Sequence, residues 1–286
     1  MERTTPGDLL VAGHVNVDRF LRVARFPGLD RTEPVLSERE ELGGTATTIA
    51  RVARRLGLRT GLLARVGDGF PERFRAQLRR DRIDVRGLET VPGEPTPCCT
   101  IIEAPDGSTR TLIQQGPMRD GPSTTPGSSW CQRYRWVHLG TGPPQRTLVL
   151  AEAAQGAGRR VAFDPAQEIF YRWDRAIFRR VLARIDVLFG NEAEVAVARR
   201  WAGGPKDLLA LVPLVVRTEG RRGATAFYRG GTVHAAAERP SRRRTLVGAG
   251  DAFRGGFYAG WLRGATLRDC LTAGNRTARQ RIEGRL

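Results

Sequence analysis

Lysine is almost absent from this chain. Among its 47 basic residues only Lys206 is a lysine, and with 30 acidic residues the formal charge is +17. That scarcity excludes two common ways of holding a nucleotide. A Walker A loop needs Gly-Lys-Ser/Thr, whereas Lys206 stands between Pro205 and Asp207. A protein-kinase fold needs a strand lysine together with a His-Arg-Asp triplet, and no such triplet occurs. Cysteine and histidine are scarce as well. Cys98, Cys99, Cys131 and Cys270 lack C-x-x-C spacing and lie far in sequence from His14, His138 and His234, so neither a zinc site nor a disulfide framework is expected, and a reducing cytoplasm fits. No apolar run approaches membrane-spanning length and the N-terminal stretch has no apolar h-region, so neither anchor nor signal peptide is expected.

The arginine excess is spread along the chain. Its densest clusters, Arg221-Arg222 and Arg242-Arg243-Arg244, carry no interleaved aromatics and no zinc-finger spacing. Attraction to small anionic substrates is therefore expected rather than specific nucleic-acid binding, although salt-dependent DNA retention remains the discriminating observation.

An apolar content of 40% in 286 residues is enough for a large α/β core. Short apolar runs at Leu9–Ala12, Thr60–Val66, Trp136–Leu139, Val161–Phe163, Val187–Phe189 and Leu214–Val216 read as strands. Helical spacing marks Thr45–Leu56, Arg146–Ala154, Ala176–Arg184 and Glu192–Trp201, and Pro71–Arg80 reads as a helix with proline in its first turn. This alternation predicts a mostly parallel sheet covered on both faces. One region breaks the rhythm: Cys98–Ala104 and Ser108–Gln114, joined around Asp106-Gly107, read as an antiparallel hairpin forming a flap beside the sheet. The stretch 122–129, rich in Pro, Ser, Thr and Gly, reads as a loop or linker.

The most informative segment is Gly248-Ala249-Gly250-Asp251-Ala252-Phe253-Arg254-Gly255-Gly256-Phe257. Small residues open a helix expected over Asp251–Trp261, whose first amides face outward at the positive end of the helix dipole. Asp251 lies where it could take a proton from a hydroxyl attacking a phosphate bound there. The segment is no dinucleotide fingerprint, because Phe253 occupies the third glycine position.

With these residues in order, the chain resembles the ribokinase (pfkB) family of small-molecule kinases from Leu9 onward. Gly13-His14-Val15-Asn16-Val17-Asp18 is similar to that family's first substrate loop, Asp18 matching the acid that grips sugar hydroxyls with Asn16 beside it. Gly43-Gly44-Thr45-Ala46 resembles its Gly-Gly signature and Val66-Gly67-Asp68-Gly69 a later turn. Asn191 and Glu194 match an Asn-x-x-Glu motif that organises magnesium and phosphate. Thr218, Gly220 and Gly223 resemble the nucleotide-binding turn, and Asn275 falls where the family places residues near adenine. Gly248, Ala249, Gly250 and Asp251 match the anion hole and catalytic base. His138–Pro144 and Phe163–Glu168 resemble archaeal-type members, several of them nucleoside kinases.

The resemblance implies a three-layer ribokinase-like α/β fold, a single domain over 1–286, with a small β lid from segments near 14–44 and 98–115. It implies transfer of the γ-phosphoryl of ATP, with Mg2+ near Glu194, to a primary hydroxyl of a sugar or nucleoside in a cytoplasmic monomer or a homodimer joined through the lid. The alternative is a catalytically impaired member that only binds sugar or nucleoside. Two departures bear on this: Thr48 stands where the Gly-Gly signature normally has Asn, and Thr245-Leu246-Val247 replaces the usual Asp-Thr-Thr. In many relatives the missing acid helps hold a monovalent cation; here either a nearby guanidinium among Arg242–Arg244 supplies a positive charge to the phosphates instead, or those arginines are a solvated run leading into the loop.

Overall fold

The computed structural model describes residues 6–119 and 127–286. In chain order its elements are β1 (Gly7–Ala12), β2 (Asn16–Val23), β3 (Val35–Gly43), α1 (Thr45–Arg55), β4 (Thr60–Gly67), α2 (Glu72–Arg80), β5 (Asp84–Val91), β6 (Cys98–Glu103), β7 (Thr109–Gln114), α3 (Gly127–Cys131), β8 (Tyr134–Leu139), α4 (Pro144–Gly156), β9 (Arg160–Phe163), α5 (Arg175–Leu182), β10 (Val187–Asn191), α6 (Glu192–Ala202), α7 (Pro205–Leu211), β11 (Leu214–Thr218), β12 (Ala224–Tyr228), β13 (Gly231–Ala235), α8 (Ala249–Trp261) and α9 (Leu267–Ile282).

The larger sheet has the order β13-β12-β11-β10-β9-β8-β1-β4-β5. It is parallel from β5 to β11 and ends in the antiparallel pairs β11–β12 and β12–β13. Alternate side chains of each strand feed opposite layers. Leu9 and Val11 pack with α1, α2, α8 and α9, whereas Leu10 and Ala12 pack with α4, α5, α6 and α7. Both faces are dry, which is why the strands read as continuous apolar runs. The result is a three-layer α/β architecture, as the alternation predicted.

The smaller sheet has the order β3-β2-β6-β7. The expected hairpin is β6–β7, closed by a turn in which the Asp106 carboxylate accepts from the Ser108 amide at 2.9 Å and from its hydroxyl at 2.6 Å. β2 joins it in parallel, and β3 lies antiparallel to β2.

Two local expectations need correction. Pro71 caps α2 in extended geometry instead of opening its first turn, since a fixed φ with no N–H suits either place. Of the loop expected at 122–129, residues 122–126 lie outside the described residues, and Gly127–Ser129 begin α3. Among the described residues no helix is long and apolar enough to cross a membrane, and all four cysteines are free. Lys206 is exposed in the first turn of α7, in the layer opposite α1 and α8.

Parallel strands bring their carboxyl ends to one edge, where crevices form outside the sheet. β1 delivers Gly13 and His14 there, β8 delivers Gly140–Pro143, and Asn191 of β10 stands beside Thr218 of β11 in register. α8 crosses α1 closely: a Cβ on Gly255 would stand 2.7 Å from Val52 carbons. That approach sets the start of α8 against the start of α1.

Candidate active site

Gly248 caps α8 in left-handed geometry, φ 76°, with no side chain capping the helix. The Ala249 amide is taken by the Leu246 carbonyl at 3.3 Å, while the Gly250 and Asp251 amides have no acceptor among the described residues. Two unsatisfied donors at the positive end of a 13-residue helix favour a negative charge there. Of the first amides expected to face outward, these two are left free.

Asp251 follows in the first turn of α8, half-buried. Burial pushes its carboxyl up to about 7; Arg254 and Arg281 oppose that rise, and Asp164 and Asp18 add to it. A carboxyl poised near neutrality suits a general base.

Asp18 lies on β2 and is 8% exposed, with Oδ1 lacking any partner. Burial, aided by Glu41 across the strand pair, raises it to about 7, and Arg281 works against the rise. Its carboxyl presses on Gly43, where a Cβ would fall 1.9 Å from the Asp18 Cγ. Asn16 is buried, and its Oδ1 likewise lacks a partner. Gly44 caps α1 at φ 94°, and a Cβ there would meet the His14 carbonyl at 2.3 Å. Unpaired buried oxygens are costly unless something binds them, and Asn16 and Asp18 each leave one oxygen free to accept a hydrogen bond. Thr48, in α1, brings its methyl within 3.5 Å of where a Gly248 Cβ would be. The starts of α1 and α8 therefore lie side by side, with Asp18 near enough to Asp251 to raise its carboxyl.

The nucleotide-side residues form a second group. Asn191 and Glu194 make a capping box: the Glu194 amide donates to Asn191 Oδ1 at 2.9 Å, and the Asn191 amide donates to Glu194 Oε2 at 2.7 Å. Burial, and Asp164 after it, push the Glu194 carboxyl up. Gly220 and Gly223 flank a single 3-10 turn after Thr218. A Cβ on Gly223 would lie 2.1 Å from the Ala235 carbonyl. Asn275 donates to that carbonyl at 2.9 Å and to Ala236 O at 3.2 Å, so both its amide contacts hold α9 to the end of β13. It shapes a wall with Gly223; its donors are not directed at a base.

The three arginines preceding the anion site do not supply the expected charge. Arg242–Arg244 are exposed, and Arg242 Nε donates to the Glu283 carbonyl at 3.1 Å. The guanidinium on the loop is that of Arg281 in α9, whose Nε donates to Val247 O at 3.1 Å. The Thr245 hydroxyl is occupied by the Val247 amide at 3.1 Å. That carbonyl and that hydroxyl are thus each already engaged within the protein.

Two further features escaped sequence reasoning. One is a buried ion pair between Asp164, just past β9, and Arg254 of α8, with Nε to Oδ2 at 2.8 Å. The other is a network around His14, whose Nδ1 meets Thr141 Oγ1 at 2.8 Å and whose Nε2 meets Gln115 Oε1 at 2.5 Å. Gln115 and Arg172 both donate to Glu168, and the Gly142 amide donates to its other oxygen at 2.6 Å. The network ties the end of the β6–β7 hairpin to the segments after β8 and β9. No short-range signal marks either feature.

The chain is 30% identical over 266 residues to a nucleoside kinase of Methanothermobacter thermautotrophicus, covering 92% of this chain and 85% of that protein. It is 29% identical over 286 residues to a cytidine kinase of Thermococcus kodakarensis, covering 96% and 95%. Its fold matches the crystal structure of the Methanocaldococcus jannaschii nucleoside kinase with a TM-score of 0.88 at 24% identity, over 98% of this chain and 93% of that one. The chain is a phosphotransferase acting on a hydroxyl of a sugar or nucleoside. Its residues 7–285 match the model for the pfkB family of carbohydrate kinases, and to that family it belongs.

Proposed function

We propose that this protein is a nucleoside kinase that transfers the γ-phosphoryl group of ATP to the primary hydroxyl of the nucleoside's ribose. The observation that carries the reading is the cleft itself: Asp18 and Asp251, both near neutrality by burial, share it with two free helix amides. Asp18 and Asn16 accept hydrogen bonds from ring hydroxyls, which orients the ribose with its primary hydroxyl toward α8. Asp251 accepts the proton of that hydroxyl as its oxygen attacks, and the Gly250 and Asp251 amides stabilise charge on the phosphoryl group in flight. The four-stranded sheet closes over the ribose as a lid within a single domain and keeps water from intercepting the phosphoryl group. The side chains after β8 and β9 that converge on His14 and Gln115 supply polar groups beyond the ribose, where a base extends.

Among the described residues no group of three or more His, Cys, Asp or Glu could hold a metal ion. One oxygen of Glu194 is spent on its helix cap and both oxygens of Asp164 are engaged. This fits an ion carried in by the nucleotide phosphates and touched through water by Glu194, not a protein-built cage. Magnesium held there would neutralise phosphate charge.

Support for a nucleoside over a free sugar comes from relatives named as nucleoside and cytidine kinases and from a structural neighbour, a Burkholderia thailandensis kinase solved with inosine. Intact Asp251 speaks against a member that binds without turnover. The test is ADP release with ATP and magnesium across a panel of nucleosides and free sugars. Higher kcat/KM for nucleosides, phosphorylated at the primary hydroxyl, is expected. A preference for free hexoses or ribose would refute the nucleoside assignment, and no turnover with any acceptor would refute the kinase reading.

A further inference from the structure

Arg254 is one turn beyond Asp251 on α8, and its side chain runs back along the helix toward the anion site. Its Nε donates to Asp164 Oδ2 at 2.8 Å, and its Nη1 donates to the Gly250 carbonyl at 3.0 Å. The guanidinium passes so close to Gly250 that a Cβ there would lie 3.0 Å from Nη1. Its other face lies over the Phe189 ring of β10, 5.7 Å from the centroid. Both charged side chains of the pair are 5% exposed. Asp164 is fixed from its own side, since Oδ1 accepts from the Ala166 amide at 3.1 Å.

A buried ion pair adds little net stability compared with an apolar pair of the same volume. This one stands among carboxylates: Asp164 after β9, Glu194 on α6, Asp251 on α8 and, farther across the cleft, Asp18 on β2. Arg281 on α9 faces the Asp18 and Asp251 side, and neutral His138 on β8 and Tyr258 on α8 complete the surroundings. Arg254 is the fully buried cation of this set.

We propose that Arg254 is a positioning residue for phosphoryl transfer: it fixes the Gly250 peptide of the anion site and acts as the internal counter-ion that holds Asp251 in its proton-accepting form. Asp164 is the second half of the device. It anchors the guanidinium, and its own negative charge opposes the ionisation of Asp251. The pair therefore sets the working pH of the base by the balance of two opposite charges. The proposal rests on the reading of Asp251 as the base.

Opposite charges at close range shift a carboxyl by roughly one to three pH units. Replacing each partner should therefore move the acid limb of the kcat/KM–pH profile in opposite directions. Arg254→Met is expected to move it up by at least about one pH unit, with about tenfold lower activity at pH 7 that recovers toward pH 9. Asp164→Asn is expected to move it below the wild-type position. Arg254→Lys, which keeps the charge but loses the fork to Gly250, should leave the limb near its wild-type place and lower kcat. Should Arg254→Met not fold, Asp164→Asn and Arg254→Lys carry the same test. A merely structural role would lower activity in every variant with the limb unmoved, and that result would overturn the proposal. Asp251→Asn measured alongside separates the two readings. If that variant turns over normally the base assignment fails; if it is inactive while the limbs stay fixed, only the role of Arg254 fails.

Discussion

The two carboxyls in the cleft make the pH profile the sharpest test of the site. Asp18 and Asp251 both have midpoints near about 7. For the free enzyme, kcat/KM for the nucleoside counts only molecules in which both are ionised. Toward acid it should fall by up to about a hundredfold per pH unit, whereas a single essential carboxylate gives about tenfold. Asp18→Asn mimics the protonated partner and should reduce the slope to about tenfold per unit. Asp251→Asn should flatten the profile at a rate lower by roughly 10²- to 10⁴-fold. The same shifts act on stability with the opposite preference. Each folded-state value lies above the model value of 3.8. The stabilising contribution is therefore fully present below about pH 4 and is lost as pH rises through about 7. One pH unit corresponds to 1.36 kcal/mol, and after allowance for the water still reaching half-buried Asp251 its ionisation costs about 1–3 kcal/mol at pH 8. Asp251→Asn should thus raise Tm at pH 8 by a few degrees and leave it unchanged near pH 4. The assay pairs initial rates between pH 5 and 9 with thermal unfolding at the two ends. A flat wild-type profile down to pH 5, with no gain in Tm for Asp251→Asn, would refute the claim that burial governs these groups.

Gly43→Ala places a methyl on the Asp18 carboxyl and should raise KM for the nucleoside at least about tenfold, the worth of one or two charge-assisted hydrogen bonds, while KM for ATP changes little; equal losses for both substrates in steady-state kinetics would contradict this. Because Arg281 and the Val247 amide occupy the groups of the loop before the anion site, turnover should be nearly equal in potassium, sodium or a bulky organic cation at matched ionic strength. Saturable activation by potassium would show that the loop reorganises to take a cation.

The layers of the fold were legible because parallel strands buried on both faces must be apolar without interruption, as Leu9–Ala12 and Leu214–Val216 are. β3 was not legible as a strand. Val35 to Glu41 are exposed, so no alternation records the backbone pairing that holds them to β2. α9 hid for a related reason: its buried positions include Gly274, Asn275 and Thr277, polar or small residues that leave no long apolar stripe. In the site, the turn from Gly248 to Asp251 was legible because consecutive residues at one helix start supply it. Asp164 and Arg254 are 90 residues apart, and each alone looks like an ordinary surface charge. Asn275 illustrates the converse: its place in the sequence resembles the family's adenine side, yet the fold commits its amide to the end of β13.

A cleft that binds phosphates without any lysine also lies beyond the reach of amine chemistry. The lone side-chain amine, Lys206, is exposed on α7, in the helical layer on the other side of the sheet from α8. Acyl-phosphate nucleotide probes, which tag lysines beside bound ATP, have nothing to acylate here, and lysine-directed covalent inhibitors have no anchor. A dye ester at mildly alkaline pH would instead mark this kinase at one side-chain position, leaving Asp18 and Asp251 unmodified.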